Sequence, residues 1–487
     1  MPSLRKNALY STAYEVIRLI FPIITFPYVS RIIGPEGVGK VSYAQTIATY
    51  FTTFILLGIP MYGSREISIS RKDPKLSSEA FSGIITLSVI LTTLGFLIYG
   101  LLYVLAPQVC AESALHWAFG LIILFYWARI DWFYKGIEEY KFITIRNLFV
   151  RCLALAAIFV FIHKKEDYTH YGFIWAGETL VVFILNIAIS FKYIKISFKN
   201  LNLKKHLLGS LPSALISSAW MLYAVLDTIM LGIMLDDDRY SVGIYAVAGR
   251  LLRISMSFIT AGNAVLAPRI ALKNEEGKTK DIVRMIRKNI LYTSYFSLPL
   301  VVGLITTSDY IIPLFAGNGF QEAILTLRII APQLLLMSLS SILSNQILYA
   351  RGKDQSLLTI TVIVLIVGFV LNLIFIPIGK QDGAALATLI TRFLELIILA
   401  IIAFDMIKQT FDVKGNLLVV LSGGIWCVLL VMIKYLLDLT ILTMLMKFII
   451  VVAAGAFLYA ILSSLFRIEP AMEILGFLKA KINGKKS

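Results

Sequence analysis

Residues 356–379 read SLLTITVIVLIVGFVLNLIFIPIG, without a single charge. A helix rises 1.5 Å per residue, so about 20 such residues cross the roughly 30 Å of hydrocarbon in a bilayer. Residues 81–105, FSGIITLSVILTTLGFLIYGLLYVL, are equally free of charge. Working outward from these two runs, apolar segments of similar length fall at 8–30, 42–63, 115–133, 147–163, 171–191, 208–234, 243–266, 289–308, 323–349, 384–403, 416–437 and 441–466. The expectation is an all-α membrane protein of about fourteen transmembrane helices. Composition agrees: 58% of the 487 residues are hydrophobic, 15% are charged and the mean hydropathy is +0.83. Soluble domains carry about 25% charged residues.

Arg5 and Lys6 precede the first apolar run, but that run continues through Pro22 and Pro27 without a small-residue cleavage motif, so it reads as helix one. With the N-terminus in the cytoplasm, alternate loops hold 30 Lys and Arg on the inner side and six on the outer (Arg31, Lys40, Lys164, Lys165, Arg239 and Lys380), with Lys434 just inside the outer end of its span. That asymmetry is the orientation signal of a polytopic protein with both termini inside. It also accounts for most of the +16 net charge, as anionic-lipid contact and not nucleic-acid binding. No loop exceeds the 22 residues of 267–288. A glycosyltransferase or polymerase working from a large outer loop is therefore excluded.

A self-match at an offset of 204 residues pairs Val38-Gly39 with Val242-Gly243, Ala44 with Ala248, Gly58 with Gly262 and Arg65 with Arg269. Further on, Lys135-Gly136 matches Arg351-Gly352. Helices one to six and seven to twelve thus read as a duplicated six-helix unit, and an even number of spans per unit places the repeat axis along the membrane normal. The expected organisation is an N-lobe over 1–200, a C-lobe over 201–405, and two extra helices with a basic tail over 406–487. A two-lobed transporter with a cleft between the lobes follows.

Gly34-Pro35-Glu36-Gly37-Val38-Gly39-Lys40-Val41 imitates the start of a phosphate-binding loop. Val41 stands where the magnesium-binding hydroxyl is required, and the flanks are membrane helices, so the glycines read as a tight turn. Cys110, Cys152 and Cys427 lie apart, as do His116, His163, His170 and His206, and none has metal-ligand spacing.

Charges inside the spans carry the functional information, because each costs about 2.5–3.5 kcal/mol at the centre of a lipid-facing helix. Arg18 and Arg253 lie about ten residues into their spans, roughly 15 Å deep. Glu15 with Arg18, and Arg392 with Glu395, are spaced i,i+3 and can pair on one face. Arg250 and Arg253 share that spacing with like charge, which asks for an anion beside them. Arg129 and Arg151 fall near the inner ends of helices four and five, and Arg31 at the outer mouth. Asp131 is about 200° around the helix from Arg129 and does not neutralise it. Together these arginines make a cationic ladder suited to a diphosphate, which guanidinium groups bind bidentately. Glu15, Asp131, Glu178, Asp227 and Glu395 are candidates for a coupling proton or sodium ion, and Asp227 has no basic neighbour at i±3 or i±4.

The segment from Asn7 to about Phe81 resembles the Wzx-type polysaccharide repeat-unit flippases of the multidrug/oligosaccharidyl-lipid/polysaccharide (MOP) exporter superfamily. The resemblance rests on Pro27-Tyr28-Val29-Ser30-Arg31-Ile32-Ile33-Gly34, Gly37-Val38-Gly39 and Gly58-Ile59-Pro60-Met61-Tyr62-Gly63-Ser64-Arg65-Glu66-Ile67. Tyr134-Lys135-Gly136-Ile137-Glu138 and Leu226-Asp227-Thr228-Ile229-Met230-Leu231-Gly232 add to it. It implies transfer of an undecaprenyl-diphosphate-linked oligosaccharide across a bacterial inner membrane by alternating access in a MATE-like, two-lobed fold. It further implies coupling to a proton or sodium gradient, no other cofactor, and polymerase machinery as a partner. A lipid II flippase and a multidrug antiporter of the same superfamily are the alternatives. The second should have an acidic cavity, against which the arginines argue.

Overall fold

The computed structural model describes residues 4–482 apart from 57, 107–111, 199–200, 236–237 and 276–278, so that Cys110 lies outside the described residues. Every regular element among them is helical, as expected where no water is available to satisfy a free backbone group. The chain divides into two compact units, Met1–Ala246 and Val247–Ser487.

The first unit contains α1 (Leu4–Leu56), α2 (Ile59–Ser70), α3 (Pro74–Leu105), α4 (Ser113–Phe125), α5 (Asp131–Gly136), α6 (Tyr140–Phe161), α7 (Tyr168–Ser190), α8 (Leu203–Met234) and the start of α9 (Arg239–Glu275). The second contains the rest of α9, then α10 (Thr279–Phe315), α11 (Ala323–Ile330), α12 (Gln333–Ser341), a π-helical turn (Ile342–Leu348), α13 (Asp354–Ile402), α14 (Phe404–Thr410), α15 (Val413–Asp438), α16 (Met444–Leu465) and α17 (Glu469–Ile482).

Eleven helices among the described residues are long and apolar enough to cross a membrane, against the fourteen expected. Part of the difference is fusion. Thr12–Ser70 and Gln355–Ile402 are 59 and 48 residues long, at least twice what one crossing needs. α1 breaks at Gly34, whose φ of 68° is open to glycine without strain. The chain doubles back there: Tyr28 Oη bonds Ile162 O at the far end of α6, Lys40 pairs with Glu112 before α4, and Gly63 packs on Trp132 in α5. α13 breaks at Lys380 (φ 47°). A Cβ on Gly383 would lie 1.9 Å from Phe375 O, whereas eight residues of continuous helix span about 12 Å. Within the seventh expected span, 208–234, the described part Met221–Met234 is an apolar helical stretch of α8 (Leu203–Met234).

Two positions paired by the self-match are in contact. A Cβ on Gly39 would meet Arg239 O at 1.6 Å and Gly243 N at 2.9 Å, and one on Gly243 would meet Pro35 O at 1.9 Å and Gly39 N at 3.0 Å. Pro35 and Arg239, like Gly39 and Gly243, are 204 positions apart. The helical segments of α1 around Gly39 and of α9 around Gly243 therefore touch backbone to backbone in reciprocal fashion, with a close approach only glycine permits. Beside it Arg239 lies over the Tyr43 ring at 3.8 Å and donates to Gly232 O.

Lys40, the false phosphate lysine, is held by Glu36 at 3.0 Å and Glu112 at 2.8 Å. Tyr168 Oη donates to the second oxygen of Glu112 at 2.8 Å. Burial pushes the Glu112 carboxyl up, but the Lys40 and Tyr168 bonds outweigh it and leave the group below the usual glutamate range.

Outward-facing side chains are large and apolar: Ile366, Phe369, Val370 and Ile374 on α13, and Ile449, Val452, Phe457 and Ile461 on α16, are all exposed. Such a surface is stable in hydrocarbon and not in water.

Two predictions follow from this packing. Gly39→Ala should lower the melting temperature in detergent, by the equivalent of about 1–3 kcal/mol of overpacking, whereas Gly177→Ala, with nothing within 4 Å, should be neutral or slightly stabilising. Equal melting temperatures for Gly39→Ala and wild type would refute the contact. For Glu112, a depressed carboxyl contributes stability above the ordinary value of 4.5 that is lost as pH falls through the depressed value. The melting-temperature gap between wild type and Glu112→Gln should accordingly be constant above that pH and close below it.

Candidate substrate-binding site

The first unit gathers most of its intramembrane charge around the end of α4. That helix stops at Phe125, a single 3₁₀ turn covers Tyr126–Ala128, and Arg129 takes the non-helical φ/ψ of −74°/63° before α5 begins at Asp131. The interruption lies inside an apolar span, Ser113–Gly136. Broken helices at such depth are tolerated where protein or a water-filled cavity receives the released backbone groups. Here Asn186 of α7, fully buried, donates from Nδ2 to Ala128 O at 2.7 Å. Its Oδ1 accepts from the guanidinium of Arg146 on α6. The same Arg146 nitrogen forms an ion pair with Asp131 at 2.8 Å, with side-chain exposures of 1% for Arg146 and 23% for Asp131.

Arg18, Arg129 and Arg151 are more open than Arg146. Arg18 pairs with Glu15 at 2.9 Å and is 61% exposed. Arg151 bonds Glu178 at 3.0 Å and lies 4.7 Å over the Phe21 ring. Arg129 is exposed and packs against Tyr126, 5.2 Å from the ring centre. Tyr14 is in electrostatic reach of Arg18, Arg129, Asp131 and Glu15, and Glu178 in reach of both Arg151 and Arg129. Arg18, Arg129 and Arg151 thus form one cationic group, with Glu15, Asp131 and Glu178 interleaved. Arg31 is not part of it. It is exposed beyond Tyr28 and donates to Pro27 O at 3.3 Å. Asp227 is buried in α8 and accepts from Tyr245 Oη at 2.6 Å, a partner 18 residues away that i±4 reasoning could not find.

In the second unit Arg250 and Arg253 lie one turn apart on α9, half-buried and exposed respectively. Arg392 and Glu395 pair at 2.8 Å with side chains 8% exposed. A groove of about 950 Å³ runs along α10, α15 and α16. Phe258, Tyr295, Phe296, Trp426 and Tyr459 supply its apolar walls, and Lys288, Asn289 and Glu473 its polar end. Tyr459 Oη donates to Tyr295 O and Trp426 Nε1 to Gly455 O, so the polar atoms of the aromatic walls are consumed internally. At the polar end, hydrogen bonds from Lys288 and then Tyr292 hold the Glu473 carboxyl below the usual range.

Arg146 was misplaced by sequence reasoning, which counted it among the inner-loop charges of 134–146. The structure buries it one turn inside α6. A signal existed: Ile143, Arg146, Val150, Ala154 and Ile158 follow helical spacing and are all buried, so Arg146 lies on the inward stripe.

Long apolar helices with arginine–carboxylate clusters in their interior define a polytopic membrane transporter. Among solved structures, the chain is similar to the lipid II flippase MurJ in an inward closed conformation, with TM-score 0.73 and 17% identity over 94% of this chain and 98% of that one. An inward-facing MATE multidrug transporter of the MOP superfamily matches with TM-score 0.67 and 14% identity over 82% of this chain and 98% of that one. At such identities these likenesses speak for the fold. In sequence, the chain is 24% identical over 403 residues to the "Putative O-antigen transporter" of Escherichia coli K12, covering 80% of this chain and 94% of that protein. It is 23% identical over 408 residues to the capsular polysaccharide biosynthesis protein CapF of Staphylococcus aureus, covering 80% and 97%. The family described as "Polysaccharide biosynthesis protein" matches residues 4–273. The chain belongs to that family, as a Wzx-type polysaccharide flippase, a transporter and not an enzyme.

Replacing Arg392 by Gln should leave Glu395 as an uncompensated buried charge and lower stability by about 3–5 kcal/mol. Thermal unfolding of the purified protein in detergent reads this directly, and an unchanged curve would mean that the pair is hydrated.

Proposed function

We propose that the protein moves an undecaprenyl-diphosphate-linked oligosaccharide from the cytoplasmic to the outer leaflet of a bacterial inner membrane by alternating access, with both termini in the cytoplasm. The observation that carries this reading is the cationic group Arg18, Arg129 and Arg151 inside apolar spans, where each unsatisfied charge is costly. Arg18 and Arg151 already have accessible carboxylate partners in Glu15 and Glu178, so a diphosphate would offer a countercharge chiefly to Arg129, with the bidentate geometry that guanidinium favours. Arg250 and Arg253 of the second unit, like charges one turn apart, suit an anion or an acidic glycan in their own right, and Arg31 and Arg392 are further arginine candidates, Arg392 being held by Glu395. The apolar groove of the second unit suits the polyprenyl chain, which cannot follow the sugar into an aqueous passage.

Coupling to a proton or sodium gradient is assigned to the carboxylates of the spans, first of all the buried Asp227 with its Tyr245 donor, and then Glu15, Asp131, Glu178 and Glu395. The polymerase that consumes the product on the outer face is the expected partner. A second reading, lipid II as cargo, draws support from the fold likeness to MurJ. It shares the diphosphate and differs in the sugar.

The test is leaflet transfer of a fluorescent undecaprenyl-diphosphate oligosaccharide in proteoliposomes. Arg18→Gln and Arg253→Gln should each reduce transfer at least tenfold, about what one lost charge-assisted contact costs, without loss of insertion. Asp227→Asn should abolish the response to an imposed pH or sodium gradient. Transfer unaltered in both arginine variants would refute the cationic-site reading, and transport of lipid II alone would replace the cargo.

A further inference from the structure

Four arginines and three carboxylates make up the charge cluster of the first unit: Arg18, Arg129, Arg146 and Arg151 against Glu15, Asp131 and Glu178. Glu15 is engaged by Arg18 and Glu178 by Arg151. Asp131 is the carboxylate nearest to Arg129 in sequence, and it is in electrostatic reach of both Arg129 and Arg146. The ion pair it makes is with Arg146, the buried arginine. Among the described residues no carboxylate lies within 4 Å of Arg129, whose side chain is exposed against the Tyr126 ring.

We propose that Arg146, clamped by Asn186, is a positioning residue that sequesters Asp131 so that Arg129 stays un-neutralised and available to the diphosphate of the substrate. The clamp is specific in its geometry. Asn186 ties the broken end of α4, through Ala128 O, to the guanidinium on α6 that holds Asp131. One amide thus fixes both the backbone that presents Arg129 and the cation that occupies its competitor. Packing alone gives no reason for this arrangement, since a buried ion pair is usually no more stabilising than apolar side chains of the same volume. Placing a cation out of solvent to hold a carboxylate off a second, accessible cation does give one. This inference rests on the diphosphate-binding reading above and adds the residues that set the charge of its site.

The experiment measures binding of a short-chain polyprenyl diphosphate, farnesyl diphosphate, to the purified full-length protein, with thermal stability recorded in parallel. Arg129→Gln tests the underlying reading and should weaken binding about tenfold. Arg146→Gln releases Asp131 to neutralise Arg129 and should weaken binding to a similar extent, and the double variant should bind no worse than Arg129→Gln alone. Asp131→Asn should keep wild-type affinity or exceed it, although it lowers stability as much as Arg146→Gln does by orphaning a buried charge. A merely structural role predicts that both destabilised variants lose affinity together.

Should Arg146→Gln fail to fold, Asp131→Asn with Arg146→Gln removes both charges of the pair and carries the test, with near wild-type affinity expected. Wild-type binding by folded Arg146→Gln, additive losses in the Arg129/Arg146 double variant, or weak binding by the charge-free pair would each overturn the proposal. Wild-type binding by Arg129→Gln would instead overturn the diphosphate site itself.

Discussion

A guanidinium within hydrocarbon must be paired, hydrated or bound to an anion, and the layout of this protein follows from how each intramembrane arginine meets that requirement. Arg146 and Arg392 are paired and buried. Arg18 and Arg151 are paired but open to solvent, so their carboxylates can be exchanged for a stronger ligand at modest cost. Arg129 rests on an aromatic ring and an interrupted helix. The gradation from closed pair to accessible cation separates residues that hold the fold from residues that can hold a substrate.

The helix break at residues 126–130 shows how the same requirement applies to the backbone. A span that loses a turn of hydrogen bonds inside the membrane must recover them locally. Asn186 takes one released carbonyl, while Phe133 and Tyr134 N–H groups turn back to Ile130 O. The aromatic packing of Phe81, Trp132, Phe133 and Tyr134 then fixes the short α5 beyond the break. Rigidity on the α5 side lets the break display Arg129 in one place, which a merely flexible loop would not do.

Much of this was legible in the sequence, for reasons that differ by feature. The membrane class and the apolar runs follow from composition and length alone. The i,i+3 pairs Glu15–Arg18 and Arg392–Glu395 were readable because helical geometry makes such neighbours touch. Arg151–Glu178, Arg146–Asp131 and Tyr245–Asp227 were not, since each joins two helices whose relative rotation no local spacing determines. The repeat exposed Gly39 and Gly243 as equivalents, yet not as contacts: equivalence is a property of the sequence, and touching depends on how α1 and α9 pack. The difference between fourteen expected spans and eleven apolar helices among the described residues has a simpler origin. Apolar runs are read one by one, while α1 and α13 each join two such runs across a non-helical residue, Gly34 and Lys380, and so count once.

The glycine contact also bears on how such a protein can move. Close-packed interfaces are bistable and not continuously deformable, so a transporter changes state by releasing a few contacts whole. The Gly39–Gly243 approach is a backbone contact of small area, flanked by Lys40–Glu112 and Arg239–Tyr43. The contact itself is made by backbone atoms, with the buried side chains of Tyr43 and Arg239 stacked beside it. Its specificity comes from shape, its strength from a few polar contacts at the rim. Such a contact can hold one state firmly enough to be populated and still be broken by the few kcal/mol that a ligand or an ion gradient supplies.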